Sequence, residues 1–227
     1  MPPVQHQDFM QSLAWRKRYW ARSQLGYPAF KRAHPNAGHR VLAAWERQGN
    51  VLGLVTQNVD GLHQRAGHAS VIDLHGRLDR VVCMTCGDVT RRQDWQDWLE
   101  AHNPRVRDWA FEPAPDGDAD PREDDYSSVR VPQCGCGGIL KPAVVFYGDS
   151  VDRMVVERAY AWVDKADAVL VVGSSLMVFS SFRFVRRAHQ LNKPIYLINR
   201  GKTRADDLVS LKLVGDCTEL LTTLDDL

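Results

Sequence analysis

Four cysteines stand in two close pairs, Cys83-Met84-Thr85-Cys86 and Cys134-Gly135-Cys136. Each pair holds two thiolates near one point, and two such pairs suit tetrahedral zinc. A zinc with four cysteine ligands keeps no open position, so a metal here is structural. One residue between Cys134 and Cys136 leaves less freedom to reach ideal angles, and a Gly137-Gly138 turn follows directly. Chemistry then falls to the polar residues upstream, the run Gln57-Asn58-Val59-Asp60 and the triplet Leu74-His75-Gly76. A neutral imidazole takes up a proton close to neutral pH, which makes His75 a candidate general base. Taken alone, a histidine in such a turn is more often structural, and Asn and Asp favour strand-end turns in any case.

The elements that must position these residues read as an α/β domain carrying a small insertion. The 227 residues suffice to bury a large core, and a net charge of +1 gives no reason to expect a nucleic-acid field. Charge is uneven locally. Residues 1–40 hold seven Lys or Arg against one acid, Asp8, read as the solvated face of a helix. Residues 103–132 hold eight acids, four arginines and five prolines, read as an irregular surface insertion. Five cysteines, four of them paired for metal, predict a reducing compartment and hence the cytoplasm. No apolar run approaches a membrane span, and Met1-Pro2-Pro3 begins neither a signal peptide nor a transit sequence.

Phe9, Leu13 and Trp20 predict a helix over 8–22, and Val41, Leu42 and Trp45 a second over 36–48. The run Val51-Leu52-Gly53-Leu54-Val55 reads as a buried parallel strand. The second half repeats the grammar: a helix over 152–165, a strand over 168–172 ending at Gly173-Ser174-Ser175, a helix over 180–191, and a strand over 194–198 ending at Asn199-Arg200-Gly201. Alternating strands and helices predict a Rossmann-like parallel sheet with helices on both faces, with ligands at the carboxyl ends of the strands. Residues 1–77 and 143–227 are assigned to this domain, and 78–142 to an inserted zinc-binding module that includes the acidic segment.

The order Thr56-Gln57-Asn58-Val59-Asp60-Gly61-Leu62-His63, Leu74-His75-Gly76, paired cysteines, Lys141 through Asp149, Gly173-Ser174-Ser175 and Asn199-Arg200-Gly201 resembles the sirtuins, NAD-dependent protein deacylases. The likeness runs from about residue 8 to the C-terminus. The stretches Arg18-Tyr19-Trp20-Ala21-Arg22 and Ala114-Pro115-Asp116-Gly117-Asp118 look most like the class II branch, which includes the mitochondrial lipoamidase-type sirtuin. The resemblance implies that the acyl-lysine of a protein substrate attacks the ribose carbon of NAD as nicotinamide leaves, with His75 drawing a proton from a ribose hydroxyl. It implies that Gln57, Asn58, Val59 and Asp60 orient nicotinamide and ribose, and that Gly173, Ser174 and Ser175 meet ribose and phosphate. Asn199, Arg200 and Gly201 would hold the adenosine ribose, and Cys217 the adenine through its backbone. Val144, Val145, Phe146, Tyr147 and Gly148 would form the strand on which an extended substrate peptide lies. Zinc at Cys83, Cys86, Cys134 and Cys136 completes the set.

Sirtuins open with a strand and a Gly-Ala-Gly-x-Ser loop that this sequence does not contain. The expectation is an N-terminally shortened domain, without the first strand and the cofactor-binding lid, in which NAD binds weakly. Two further readings stand beside the deacylase. One is a catalytically impaired short form that binds ADP-ribose or acylated peptide; the other is an interaction surface built from the zinc module. Mono-ADP-ribosyl transfer, which uses the same cofactor, belongs to the class II likeness as a side activity.

Overall fold

Ser12 divides what the sequence reads as one helix. Its backbone is extended (φ −120°, ψ 123°) and its hydroxyl accepts from the Trp15 N–H, so it ends one helix and caps the next. The computed structural model describes residues 4–113, 119–123 and 125–227; the Ala114-Pro115-Asp116-Gly117-Asp118 stretch and Met1-Pro2-Pro3 lie outside the described residues. In chain order the elements are α1 (His6–Gln11), α2 (Leu13–Arg32), α3 (Ala37–Arg47), β1 (Leu54–Thr56), α4 (Leu62–Arg65), β2 (Val71–Asp73), β3 (Gly76–Cys83) and β4 (Val89–Arg91). Then come α5 (Arg92–His102), a 3-10 turn (Pro104–Asp108), β5 (Phe111–Pro113), β6 (Ala119–Pro121) and β7 (Leu140–Val144). The last are α6 (Arg153–Lys165), β8 (Val169–Val172), α7 (Phe179–Gln190), β9 (Ile195–Ile198), β10 (Leu211–Leu213) and α8 (Cys217–Asp225). No helix among the described residues is long and apolar enough to cross a membrane.

The chain divides into two compact units, and the division differs from the sequence assignment. One unit joins residues 1–33 to 76–150. Its centre is the antiparallel sheet β4-β3-β7. Phe9, Tyr19 and Trp20 are buried with Val81, Leu99 and Leu140, and Phe9 meets Tyr19 edge to face at 5.4 Å. These large aromatics bring α1 and α2 to the zinc module, because burying them there removes more apolar surface than the short strands of the module supply by themselves.

The basic run does not form a merely solvated face. Tyr19 through Tyr27 are all buried, including Arg22 at 4% exposure, whose Nε donates to the Ala119 carbonyl at 2.8 Å. The acidic insertion explains this burial. Its 3-10 turn and the hairpin β5-β6 cover α2, with Val106, Ala119 and Val129 packed on Ala21 and Leu25. The described part of residues 103–132 is thus a packed cover, and the buried guanidinium keeps a carbonyl partner as burial requires. At Gly76 (φ +81°) a Cβ would stand 2.1 Å from the Ala143 carbonyl oxygen, so β3 can meet β7 only with glycine there.

The other unit joins residues 34–75 to 151–227. All its strand pairs are parallel, β1 with β2, and β8-β9-β10 as a three-stranded sheet. Ile72, Leu74, Val171, Ile195 and Leu197 form its core with Val156, Ala159 and Val163 of α6 and Phe182, Val185 and Ala188 of α7. The first strand is shorter and later than 51–55, covering Leu54–Thr56, and only Thr56 is fully buried. Among the described strands β1 pairs with β2 alone and β8 with β9 alone, which leaves each half-covered rather than sandwiched. Side-chain caps fix the helix starts: Asn36 on α3, Asp152 on α6 and Asp216 on α8.

Candidate active site and metal centre

Three parallel strands end in polar turns, and side chains tie those ends together. After β1 comes Gln57, whose Nε2 donates to the Ser174 hydroxyl at 2.7 Å. Ser174 follows β8 through Gly173, a residue with φ +64° whose N–H donates to the Ile198 carbonyl at the end of β9. The Ser174 hydroxyl in turn accepts from the Leu176 N–H at 3.2 Å, and the Ser175 carbonyl accepts from the Arg204 N–H at 2.9 Å. Asn199 follows β9, with its N–H on the Leu213 carbonyl and its side-chain amide on the Gly201 carbonyl. Asn58 N–H donates to the Thr56 hydroxyl, and Asp60 accepts from the Leu62 N–H at 2.9 Å, so Val59 lies in a turn braced on both sides. Cys217 begins α8 half-buried, its sulfur 3.6 Å from the Ile198 carbonyl, and burial pushes its thiol pKa up.

His75 follows β2 and enters the same cluster. Its Nδ1 is 3.2 Å from the Gln57 carbonyl and its Nε2 is 2.8 Å from the Ser180 hydroxyl on α7. A carbonyl only accepts, so Nδ1 carries the proton and Nε2 is the bare nitrogen. Burial lowers the His75 pKa below the ordinary histidine value, against a smaller upward pull from the Gln57 carbonyl. The ring is a neutral base at neutral pH. Ser180 is a residue that motif reading misses, since a serine in the first turn of a helix carries no signal of its own.

A second feature without a sequence signal is a row of imidazoles. His63 on α4 lies 4.7 Å from the ring of His39 on α3 and 5.5 Å from that of His68. His68 Nδ1 meets Glu46 at 3.2 Å, and Glu46 also accepts from the N–H groups of Ala69 and Ser70. Burial lowers the His63 pKa to about 4, with the neighbouring charges of His39 and His68 adding to it and Asp60 opposing.

The four paired cysteines converge. Their sulfurs all lie within 4.8 Å of one another, with Cys83 and Cys136 at 3.5 Å and Cys86 and Cys134 at 3.8 Å. These separations are too long for disulfides, and all five cysteines are free. They match the roughly 3.8 Å edge of a tetrahedron built from zinc–sulfur bonds of about 2.3 Å. The Cys86 and Thr85 amides draw the Cys83 thiol down to about 6. At Cys136 the Gly138 amide pulls down, but the three neighbouring sulfurs outweigh it and hold the thiol up to about 12. Four thiolates so close need a cation between them, and the donor set fits Zn²⁺. A Cβ at Gly138 would stand 2.6 Å from the Cys83 sulfur, and Gly137 takes a left-handed φ of +82°, which together account for the Gly137-Gly138 turn.

The expected substrate strand is only partly a strand. Val144 ends β7, and Val145 and Phe146 have no regular structure. Tyr147 makes an isolated parallel bridge to Gln5, and its carbonyl accepts from the His6 N–H, while the Gly148 carbonyl accepts from the Gln7 side chain. Part of the backbone of this segment is therefore paired with the chain itself. Lys141 lies beneath it at 4% exposure, its amine donating to the Val144 carbonyl, 3.5 Å from Asp149 and 4.5 Å from the Phe146 ring centre.

Known proteins similar to this chain share one family. A protein of Xanthomonas campestris pv. campestris (strain 8004), named NAD-dependent protein deacetylase, is 53% identical over 223 residues, 98% of this chain and 76% of its own length. The Bos taurus protein named NAD-dependent protein lipoamidase sirtuin-4, mitochondrial, is 46% identical over 224 residues, 98% of this chain and 71% of its own. The solved structure of Sir2Tm bound to a propionylated peptide matches with a TM-score of 0.79 at 25% identity, over 98% of this chain and 81% of that one. A Sir2 structure with p53 peptide and NAD+ matches with a TM-score of 0.80 at 25% identity, over 100% and 84%. The profile of the Sir2 family matches residues 2–180, and with that the chain is a member of the Sir2 family.

Proposed function

We propose that this protein is an NAD-dependent protein-lysine deacylase that releases nicotinamide and O-acyl-ADP-ribose. The observation that carries the reading is the placement of His75 beside the polar strand ends: a neutral imidazole whose Nδ1 gives its proton to the Gln57 carbonyl, leaving Nε2 as the bare nitrogen that faces the Ser180 hydroxyl. NAD, when bound, supplies a ribose carbon that the acyl oxygen attacks as nicotinamide departs. The residues of the chain position and exclude. Gln57, Asn58 and Asp60 offer amide and carboxylate groups to nicotinamide and ribose; Ser174 and Ser175 offer hydroxyls; Asn199, Arg200 and Gly201 meet the adenosine ribose, and Cys217 the adenine. His75 Nε2 takes the proton of a ribose hydroxyl, as a general base of the right protonation state. Val144 to Gly148 carry the acyl peptide through backbone groups. The zinc at Cys83, Cys86, Cys134 and Cys136 holds its module and takes no part in the chemistry. A cytoplasmic setting rests on the use of four of the five cysteines as a metal set, as a reducing compartment permits.

The test is incubation of the purified chain with NAD+ and acetyl-, propionyl- and lipoyl-lysine peptides, following nicotinamide and acyl-ADP-ribose by mass spectrometry. Acyl-peptide-dependent release supports the reading. Binding of ADP-ribose or acyl peptide without turnover would instead favour the binding module.

A further inference from the structure

The end of β9 carries a charge pair of which the cofactor reading uses only one member, Arg200. Arg200 Nη2 lies 2.7 Å from Asp216 Oδ2. Asp216 is itself held in place, because its Oδ1 caps α8 by accepting from the N–H groups of Thr218 at 2.9 Å and Glu219 at 3.2 Å. The Glu219 and Thr218 amides, with Arg200 adding to them, keep its carboxyl below the usual range, so it is ionised throughout the neutral region. The neighbouring Cys217 sulfur, 3.6 Å from the Ile198 carbonyl, ties the start of α8 to the end of β9. The Arg200 side chain is 74% exposed, and a pair so open to water adds little to stability. Its position is the informative property.

In dinucleotide-binding folds the groups beside the adenosine ribose decide whether its 2′-oxygen can carry a phosphate. A carboxylate accepts the free hydroxyl, whereas a free guanidinium accommodates the phosphate. Resting on the reading that the cofactor lies with its adenosine ribose at Asn199, Arg200 and Gly201, we propose that the Arg200–Asp216 pair is a specificity-determining element that restricts the site to dinucleotides with a free 2′-hydroxyl. The guanidinium fork that would take a 2′-phosphate is already engaged by Asp216. The fixed carboxylate also opposes a second negative group brought beside it.

The experiment is calorimetric titration of the full chain with NAD+ and with NADP+, for the wild type, Asp216→Asn, Arg200→Gln and the double variant. Asparagine caps helices as well as aspartate, so Asp216→Asn removes the charge and keeps the cap, which circular dichroism checks. The wild type is expected to bind NADP+ about tenfold or more weaker than NAD+, and Asp216→Asn to move that ratio toward NADP+ by about tenfold. Most of the move should be lost in the double variant, which keeps only the relief of carboxylate repulsion, and the move should grow at low salt, as a phosphate contact through Arg200 requires. Equal affinity of the wild type for both dinucleotides, an unchanged ratio in Asp216→Asn, or a gain as large without Arg200 as with it overturns the proposal. Binding of neither dinucleotide by the wild type would instead remove the cofactor reading, and this inference with it.

Discussion

The Nε2 atom of His75 lies 2.8 Å from the hydroxyl of Ser180, a residue 105 positions away on α7. With Nδ1 donating to the Gln57 carbonyl, that hydroxyl must donate to Nε2, and a hydrogen bond given to the bare nitrogen favours the neutral ring. His75→Ala is expected to lower nicotinamide release by ~10²–10⁴ while leaving the fold intact. Ser180→Ala should cost far less rate and move the acid limb of the pH–rate profile upward, because the neutral ring loses a partner. Near-normal turnover by the alanine variant of His75 would remove it from the mechanism.

Metal removal is expected to act on one unit. The four thiolates close β3 onto the loop at 134–136, and the free energy of binding such a zinc, on the order of 10 kcal/mol in small peptides, becomes folding free energy. Metal analysis should find one zinc per chain, lost in Cys136→Ser. Chelation should speed amide exchange in β3, β4 and β7 more than in β8 and β9. A folded, zinc-free preparation with unchanged exchange would sink the assignment.

Acid should destabilise the protein through His63. Its folded-state pKa of about 4 lies below the ordinary value of 6.5, so the unfolded chain binds more protons between those pH values. The contribution is fully present above pH 6.5 and is lost as pH falls toward 4. Thermal melts from pH 7 to 4 should show the fall, and His63→Gln, which cannot take up the proton, should flatten it. A melting temperature with the same pH slope in both proteins would exclude His63 as its source.

Lys141 is a buried amine whose partners are all on one segment, the Val144 carbonyl, Asp149 and the Phe146 ring. Burial pushes its pKa down and Asp149 pulls it back up. Lys141→Met leaves the Val144 carbonyl without this donor and is expected to cost about 1–3 kcal/mol in urea unfolding. On the proposed reading it should also raise KM for acyl peptide more than KM for NAD+. Equal effects on both constants would mean that Lys141 supports the fold without shaping the peptide segment.

Sequence alone determined what short stretches of chain can dictate. Cys83 and Cys86 are three residues apart, so any turn brings their sulfurs together, and the glycines at 137 and 138 mark a tight turn after the second pair. Parallel strands that end in polar turns were likewise legible at Gln57, Gly173 and Asn199, because apolar runs and their boundaries are local properties. Several features were decided only by tertiary packing. The basic segment 1–40 reads as a wet helix face, yet the acidic insertion covers part of α2 and buries Arg22 against the Ala119 carbonyl, 97 residues away. Aromatic burial assigned α1 and α2 to the zinc module, and the 144–148 segment became a short strand end partly paired with Gln5 and His6. Ser180 on His75, His39 and His68 on His63, and Asp216 on Arg200 arise where separate elements meet. Spacing along a chain encodes the geometry of a turn or a face, but which faces meet depends on how the whole set of elements buries its apolar surface at once.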